Sequence, residues 1–266
     1  MPLAVCATPI GNLEDVTLRV LAELRAADVV LAEDTRHTRG LLDRHDIRAR
    51  LLSYHEHNEA ARVAEVIPRL EAGERIALVS DAGMPAVSDP GARLVRAALD
   101  AGVEVTVLPG PTAVETALVA SGLGGGRYAF VGFLSRKAGE LEALWRETAR
   151  WEVPVVAFES PQRLPSSLAS LSAFDPGREV AVCRELTKRF EEVARGSATE
   201  LAERFASPPK GEITVVVAAG TASSDPDEAR AAVAALVAAG APRRVAADVV
   251  AQLTDTSRNA LYRDTL

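Results

Sequence analysis

Residues able to do chemistry gather in four short segments, each directly after an apolar run. Ala32-Glu33-Asp34-Thr35-Arg36 sets two carboxylates beside a guanidinium. Ser80-Asp81-Ala82-Gly83-Met84-Pro85-Ala86-Val87-Ser88-Asp89-Pro90-Gly91 combines two aspartates with small residues and two prolines. Such a loop is rigid, and its backbone amides and carbonyls can touch a ligand directly. Thr8-Pro9-Ile10-Gly11-Asn12-Leu13-Glu14-Asp15 carries one glycine and an acidic end. It matches neither the GxGxxG fingerprint nor a GxxxxGK loop, so a dinucleotide or triphosphate cradle is unsupported. Pro109-Gly110-Pro111-Thr112-Ala113 opens a helix, and Gly110 and Thr112 allow a ligand close to its N-terminus.

Several of these residues also have plain structural uses. Asp15 is equally suited to cap a helix beginning at Val16 or Thr17. Asp34 or Thr35 serves as a cap too, which explains one residue and not the whole triplet. For Asp89, followed by Pro90, helix initiation is the preferred reading, and Pro111 fits the same use. Asp81 has no such structural role. The four loops contain no lysine, so a phosphate would depend on backbone amides and Arg36. Carboxylates and carbonyl-rich turns instead suit an adenosine bearing a cation, a description that S-adenosylmethionine fits.

The elements that position these loops alternate. Strands are expected at Leu3 to Ala7, Val29 to Ala32, Leu51 to Ser53, Ile76 to Ser80 and Val103 to Leu108. Helices are expected near Val16 to Ala27, Arg36 to His45, Glu59 to Glu71 and Gly91 to Ala101. Apolar strands separated by helices imply a mainly parallel sheet with helices on both faces, and its chemistry belongs at the strand C-termini. Ser121 to Arg127, with four glycines in seven residues, breaks the pattern and reads as a linker. Beyond it, strands at Ala129 to Phe133, Val155 to Glu159, Val180 to Arg184 and Ile213 to Ala218 mix with helices near Ala138 to Trp151 and Arg163 to Leu171. Two strands near its end are candidates for antiparallel pairing. A polar stretch from Thr221 to Pro226 precedes an Ala-rich tail of three short helices, a kind of tail that usually packs against its parent domain. The expected units are therefore residues 1–121, 127–220 and 226–266.

Composition narrows the class. At roughly 150 residues per domain, 266 residues suffice for one large or two modest cores. Apolar residues at 48% and charged residues at 25% are those of a globular chain. The net charge of −7 argues against a surface coated with nucleic-acid-binding charge, though not against a local basic patch. Cys6 and Cys183 stand alone in apolar runs, so neither a disulfide framework nor a zinc site is expected. No apolar run approaches the roughly 20 residues of a bilayer span, and no secretory leader precedes Leu3, so the expected location is cytoplasmic.

Taken with Arg184-Glu185-Leu186-Thr187-Lys188, the loop segments resemble the bacterial ribosomal small subunit methyltransferase I family, of the tetrapyrrole methylase superfamily. The resemblance runs in register from about Leu3 to Tyr262. It implies S-adenosylmethionine-dependent methylation of a cytidine ribose 2′-oxygen in the decoding region of 16S rRNA. It further implies a two-domain α/β fold, each domain a mixed or mainly parallel sheet flanked by helices, with a small C-terminal helical module and a homodimer. Pro9, Ser80, Asp81, Gly83, Val87, Thr112 and Ala113 match the family's first-domain cofactor loops. Phe158-Glu159-Ser160, Leu186 and Lys210-Gly211-Glu212-Ile213 look like the second domain's side of the pocket. Ser257 to Tyr262 is similar to the C-terminal module. The chain departs from the pattern at Met84, where Thr is commoner, and by stopping soon after Tyr262, which trims an RNA-contacting tail.

Methyl transfer from a sulfonium is an in-line displacement, so positioning dominates and a proton acceptor assists a weak hydroxyl nucleophile. The candidates for that role are Glu33, Asp34, Glu185 and Lys188. Glu33 is alternatively a partner of Arg36, and Lys188 a ligand of the adjacent phosphate. RNA contact falls to basic clusters, namely Arg136 with Lys137, Arg184 with Lys188 and Arg189, or Arg243 with Arg244 and Arg258. The assembled 30S particle is the expected partner, because shape then supplements charge. Three rivals stand: a tetrapyrrole or other small-molecule acceptor, a magnesium-dependent phosphohydrolase using Asp34 and Asp81, and a non-catalytic RNA-binding subunit.

Overall fold

Five strands, Leu3–Cys6 (β1), Val29–Ala32 (β2), Leu51–Ser53 (β3), Ile76–Val79 (β4) and Val105–Leu108 (β5), form a wholly parallel sheet of order β3-β2-β4-β1-β5. This is a computed structural model, and it describes residues 2–220, 226–254 and 256–263. β1, β2 and β4 are apolar and buried at every position, as strands covered on both faces must be. Their side chains still alternate. Leu3, Val5, Leu31 and Leu78 pack with Val66 and Leu70 of helix α3 (Glu59–Glu71) and Leu94 of α4 (Ala92–Asp100). Ala4, Cys6, Val30 and Val79 pack with Val20 and Leu24 of α1 (Leu18–Ala26) and Leu42 of α2 (Thr35–Arg44). Because all five strands are parallel, the loops after β1, β2, β4 and β5 leave from one edge.

Helix α5 (Ala113–Ser121) follows β5 but packs on the second sheet. Its Val114 and Ala117 meet Val156, Ala181, Cys183 and Val216. That sheet comprises Ala129–Phe133 (β6), Val155–Glu159 (β7), Glu179–Arg184 (β8), Glu192–Ser197 (β9) and Ile213–Val217 (β10), in the order β6-β7-β10-β8-β9. Helices α6 (Ala138–Thr148), α7 (Leu164–Phe174) and α8 (Ala198–Arg204) supply Trp145, Leu168 and Leu201 to the core on its other face.

The expected antiparallel pair near the end is part of a larger arrangement. β10 runs antiparallel to both β7 and β8, and β9 antiparallel to β8, leaving only β6 and β7 parallel. β9 and α8 are not among the expected elements; β9, Glu-Val-Ala-Arg-Gly-Ser, is a polar edge strand without an apolar run to mark it. Near the N-terminus, Asn12 caps a short 3-10 turn at Leu13–Asp15 and Thr17 caps α1, so Asp15 caps no helix. The Ala-rich tail forms three helices as expected: α9 (Pro226–Ala238), α10 (Arg243–Thr254) and α11 (Arg258–Arg263). They enclose a small core of their own around Val233, Ala247, Val250 and Leu261. The polar stretch expected from Thr221 lies largely outside the described residues.

Candidate functional site

A cavity of about 630 Å³ opens between the strand ends of the first sheet and the second sheet. Its lining includes Glu33, Asp81, Asp89, Glu115, Glu159 and Glu212, and no lysine, arginine or histidine among the described residues. Phe130 and Phe158, with ring centroids 4.9 Å apart and edge to face, supply an apolar wall.

The acidic wall is held by reciprocal bonds between loops. The Asp34 amide donates to the Asp81 carboxylate at 3.0 Å. Thr8 and Gly83 exchange backbone bonds at 2.8 and 3.0 Å, and the Thr8 hydroxyl donates to the Ser80 carbonyl at 3.1 Å. Burial, and then the neighbouring Asp81 charge, push Glu33 above the usual carboxylate range. Burial and the Glu33 charge likewise push Asp89 up to about 6, against a lowering hydrogen bond from Ser80.

Strain marks the same surfaces. Of five non-glycine residues with positive φ among the described residues, Ala86 and Ser88 lie in the β4–α4 loop and Glu185 and Thr187 in the β8–β9 loop. Gly11 explains one close approach. A Cβ there would fall 2.5 Å from Lys188 Cγ and 2.7 Å from Thr187 Oγ1, whose hydroxyl accepts the Asn12 amide at 2.9 Å. The first loop of the N-terminal sheet therefore seats directly on the β8–β9 loop. Gly211, at φ +97°, makes similar room for Glu185.

The cavity brings together most of the residues singled out in the sequence. Glu33, Asp81, Gly83, Val87, Thr112, Ala113, Phe158, Leu186, Gly211 and Glu212 all line it. Thr112 also caps α5, its hydroxyl accepting the Glu115 amide at 3.2 Å. Five candidates lie outside. Pro9 and Ser80 line a much smaller void with His37 and Leu41, on another side of Asp81. Asp34 caps α2, and Arg36 engages both of its oxygens, holding it well below the usual carboxylate range. Asp34 and Asp81 thus do not present a pair of free carboxylates, the arrangement on which the phosphohydrolase reading rested. Lys188 Nζ donates to Glu185 at 3.0 Å and Glu212 at 2.9 Å. Burial opposes its charge, but these two carboxylates outweigh burial and keep Lys188 above its usual value. Burial also opposes the Glu185 charge, yet the Glu212 amide and Lys188 lower it overall. A proton acceptor must be free and unprotonated, and neither member of that pair is both.

The basic clusters are largely engaged locally. Lys137 pairs with Glu140, Arg184 with Glu192, Arg258 with Asp248, and Arg243 lies over the Tyr262 ring at 4.9 Å. Arg136, Arg189 and Arg244 remain exposed.

Sequence reasoning missed Asp89 and most of the aromatic lining. Gly91, at φ +141°, is the N-cap of α4, so Asp89 is not the cap its Asp-Pro pairing suggested and faces the cavity instead. Tyr128, Phe130 and Phe133 carry no motif. Their cue was an aromatic strand just after the glycine-rich linker.

A parallel sheet with a strained, acid-lined crevice at its strand C-termini, faced by a second sheet, defines a two-part α/β protein that binds a small cationic or neutral ligand. The tetrapyrrole (corrin/porphyrin) methylase profile matches residues 2–202. The chain belongs to this family, and within it to the ribosomal RNA small subunit methyltransferase I group. A relative of that name from Mesorhizobium japonicum is 46% identical over 98% of this chain and 90% of its own. Another, from Streptococcus pyogenes, is 40% identical over 98% and 93%. Among solved structures, a uroporphyrin-III C-methyltransferase from Thermus thermophilus complexed with S-adenosyl homocysteine is similar in fold. Its TM-score is 0.57 at 20% identity, covering 82% of this chain and 97% of that one.

Proposed function

We propose that this chain uses S-adenosylmethionine to methylate small-subunit ribosomal RNA, with the ribose 2′-hydroxyl of a cytidine in the decoding region of 16S rRNA as acceptor. The observation that carries the proposal is the cavity's lining, six carboxylates and, among the described residues, no lysine, arginine or histidine, beside an aromatic wall. S-adenosylmethionine, when bound, supplies a methyl group on a positively charged sulfur, and this donor set suits that charge as well as an adenine ring. Asp81, Asp89, Thr112 and the backbone around Gly83 and Gly211 are the residues we assign to holding it. Pro9 and Ser80 support those loops from beneath.

Glu33 is our choice of proton acceptor. It lines the cavity, and burial beside Asp81 raises its proton affinity, which makes it a stronger base than an ordinary carboxylate. Asp34, Glu185 and Lys188 act as positioning residues: Asp34 through its amide on Asp81, and the other pair by seating Glu212 and the β8–β9 loop. The acceptor assignment draws on the named relatives at 40–46% identity. A tetrapyrrole acceptor draws on the broader family profile and on a likeness of fold near 20% identity, both less specific than those relatives. We further propose the assembled 30S particle as substrate, a homodimer as the working form, a cytoplasmic location, and structural units dividing near 121–127 and 220–226.

The test is transfer of labelled methyl from S-adenosylmethionine to 30S particles lacking the native methylation, with mapping of the labelled nucleoside. Label on a 16S cytidine ribose supports the reading. Label on a base, or cofactor binding without transfer to the particle, moves the acceptor elsewhere.

A further inference from the structure

Phe133 is more than half exposed, at 59%, yet it lines the cavity. Its position follows from an irregularity in β6. Pairing with β7 is regular at Phe130, shifts register, and resumes at Phe133, with Gly132 at φ +69° between them. Bulges of this kind re-aim a side chain, and they recur beside active sites. Here the shift leaves Phe133 edge to face with Phe158, ring centroids 5.4 Å apart. Phe130 meets Phe158 at 4.9 Å but is half-buried, so the inner rings have packing partners and the outer ring has water. The opposite lip is the β4–α4 loop. A Cβ on Gly132 would lie 3.8 Å from Ser88 Oγ, and the neighbouring Val87 is 46% exposed.

Exposed aromatic and apolar groups on both lips of an otherwise acidic cavity suit a flat, uncharged ring arriving from solvent. We propose that Phe133, with Val87 facing it, is the stacking subsite for the unpaired nucleobase of the acceptor nucleotide. The inference rests on the ribose reading above. If the 2′-hydroxyl enters the cavity, the base attached to the same sugar stays at the rim, where an aromatic face takes up its stacking surface. An acid-lined cavity repels phosphate, so stacking at the rim supplies attraction that charge does not.

The test uses the full chain with Phe133→Ala and Phe133→Trp, both at an exposed position. Three readouts are taken: S-adenosylhomocysteine affinity by calorimetry, KM and kcat on unmethylated 30S particles, and quenching of the new indole by a short single-stranded, cytidine-containing RNA. Phe133→Ala is expected to raise the acceptor KM on the order of 10-fold, with cofactor affinity within about 2-fold of wild type. Phe133→Trp is expected to restore KM and to be quenched by single-stranded RNA more than by the same RNA in a duplex. An unchanged acceptor KM, or cofactor affinity lost in the same proportion, overturns the proposal. Failure of the ribose reading shows separately, as wild-type label mapped off the ribose, whereas failure of this subsite leaves wild-type label on the ribose and the indole unquenched.

Discussion

Two walls of one cavity hold carboxylates in opposite condition. On the second-sheet side, the Glu159 side chain is fully buried and saturated. It accepts from the Ser160 amide at 2.6 Å and the Ser167 hydroxyl at 2.5 Å, and it pairs with Arg163 at 2.5 Å. Arg163 in turn donates to the Leu134 carbonyl at 2.9 Å, tying the end of β7 to the chain after β6. On the first-sheet side, no arginine or lysine pairs with Glu33 or Asp89: burial and the Asp81 charge raise the proton affinity of Glu33 against a smaller lowering by His55, and burial and the Glu33 charge raise that of Asp89. The same residue types are thus fastened on one wall and left reactive on the other, and the number of donors around each oxygen makes the difference.

Substitutions sharpen this contrast. Glu159→Ala leaves Arg163 without its buried partner, and unfolding by urea is expected to show a loss of about 3 kcal/mol. A loss below about 1 kcal/mol would put Glu159 in the same condition as the opposite wall. Glu33→Gln is expected to lower kcat roughly 100-fold with stability and cofactor affinity nearly unchanged, read from single-turnover methyl transfer. A large fall in stability with little change in rate would reverse the two roles.

Asp89 tests the reactive wall by pH. Its folded-state value of about 6 lies above that of the unfolded chain, so the native state holds the proton more tightly. The stability this gives is complete below the unfolded value and is lost as pH rises through about 6. Asp89→Asn removes that slope. It is expected to stabilise the protein at pH 8 by about 1–2 kcal/mol, allowing for the screening of a partly exposed group, with no gain at pH 4. Denaturant midpoints at the two values check it. The smallest effect is expected for Lys188→Met, which removes two partly exposed ion pairs, to Glu185 and Glu212. Stability should fall by about 0.5–1 kcal/mol and the methyl-transfer rate should stay within about 3-fold, unlike the substitution at Glu33.

The first sheet was legible because two-sided burial writes unbroken apolar runs such as Leu3-Ala4-Val5-Cys6 and Val29-Val30-Leu31-Ala32. Its loops converge by a topological rule, so Glu33, Asp81, Thr112 and Ala113 are legible as site residues in the sequence. The second sheet was harder. Its antiparallel centre depends on β10, which arrives last in the chain and enters between β7 and β8. β9 is an edge strand with polar residues. Asp89 is obscured by its own neighbour, since Pro90 suggests a helix capped by Asp89, whereas the cap is Gly91, two residues later. Phe133 depends on a register shift between two strands, and such a shift leaves no periodic trace in one strand's sequence.

The placement of α5 has a consequence for how the chain is made. This helix leaves the ribosome as the end of the first half, yet the surface it covers, including Val156, Ala181 and Val216, has not been translated. Strand β10 at Ile213–Val217, the middle of that surface, follows Ser121 by 92 residues (213 − 121). At bacterial elongation speeds that delay is roughly 5–20 s. For that time the nascent chain carries an apolar helix whose surface is incomplete. α5 is therefore a segment to which a chaperone at the exit tunnel has several seconds to bind.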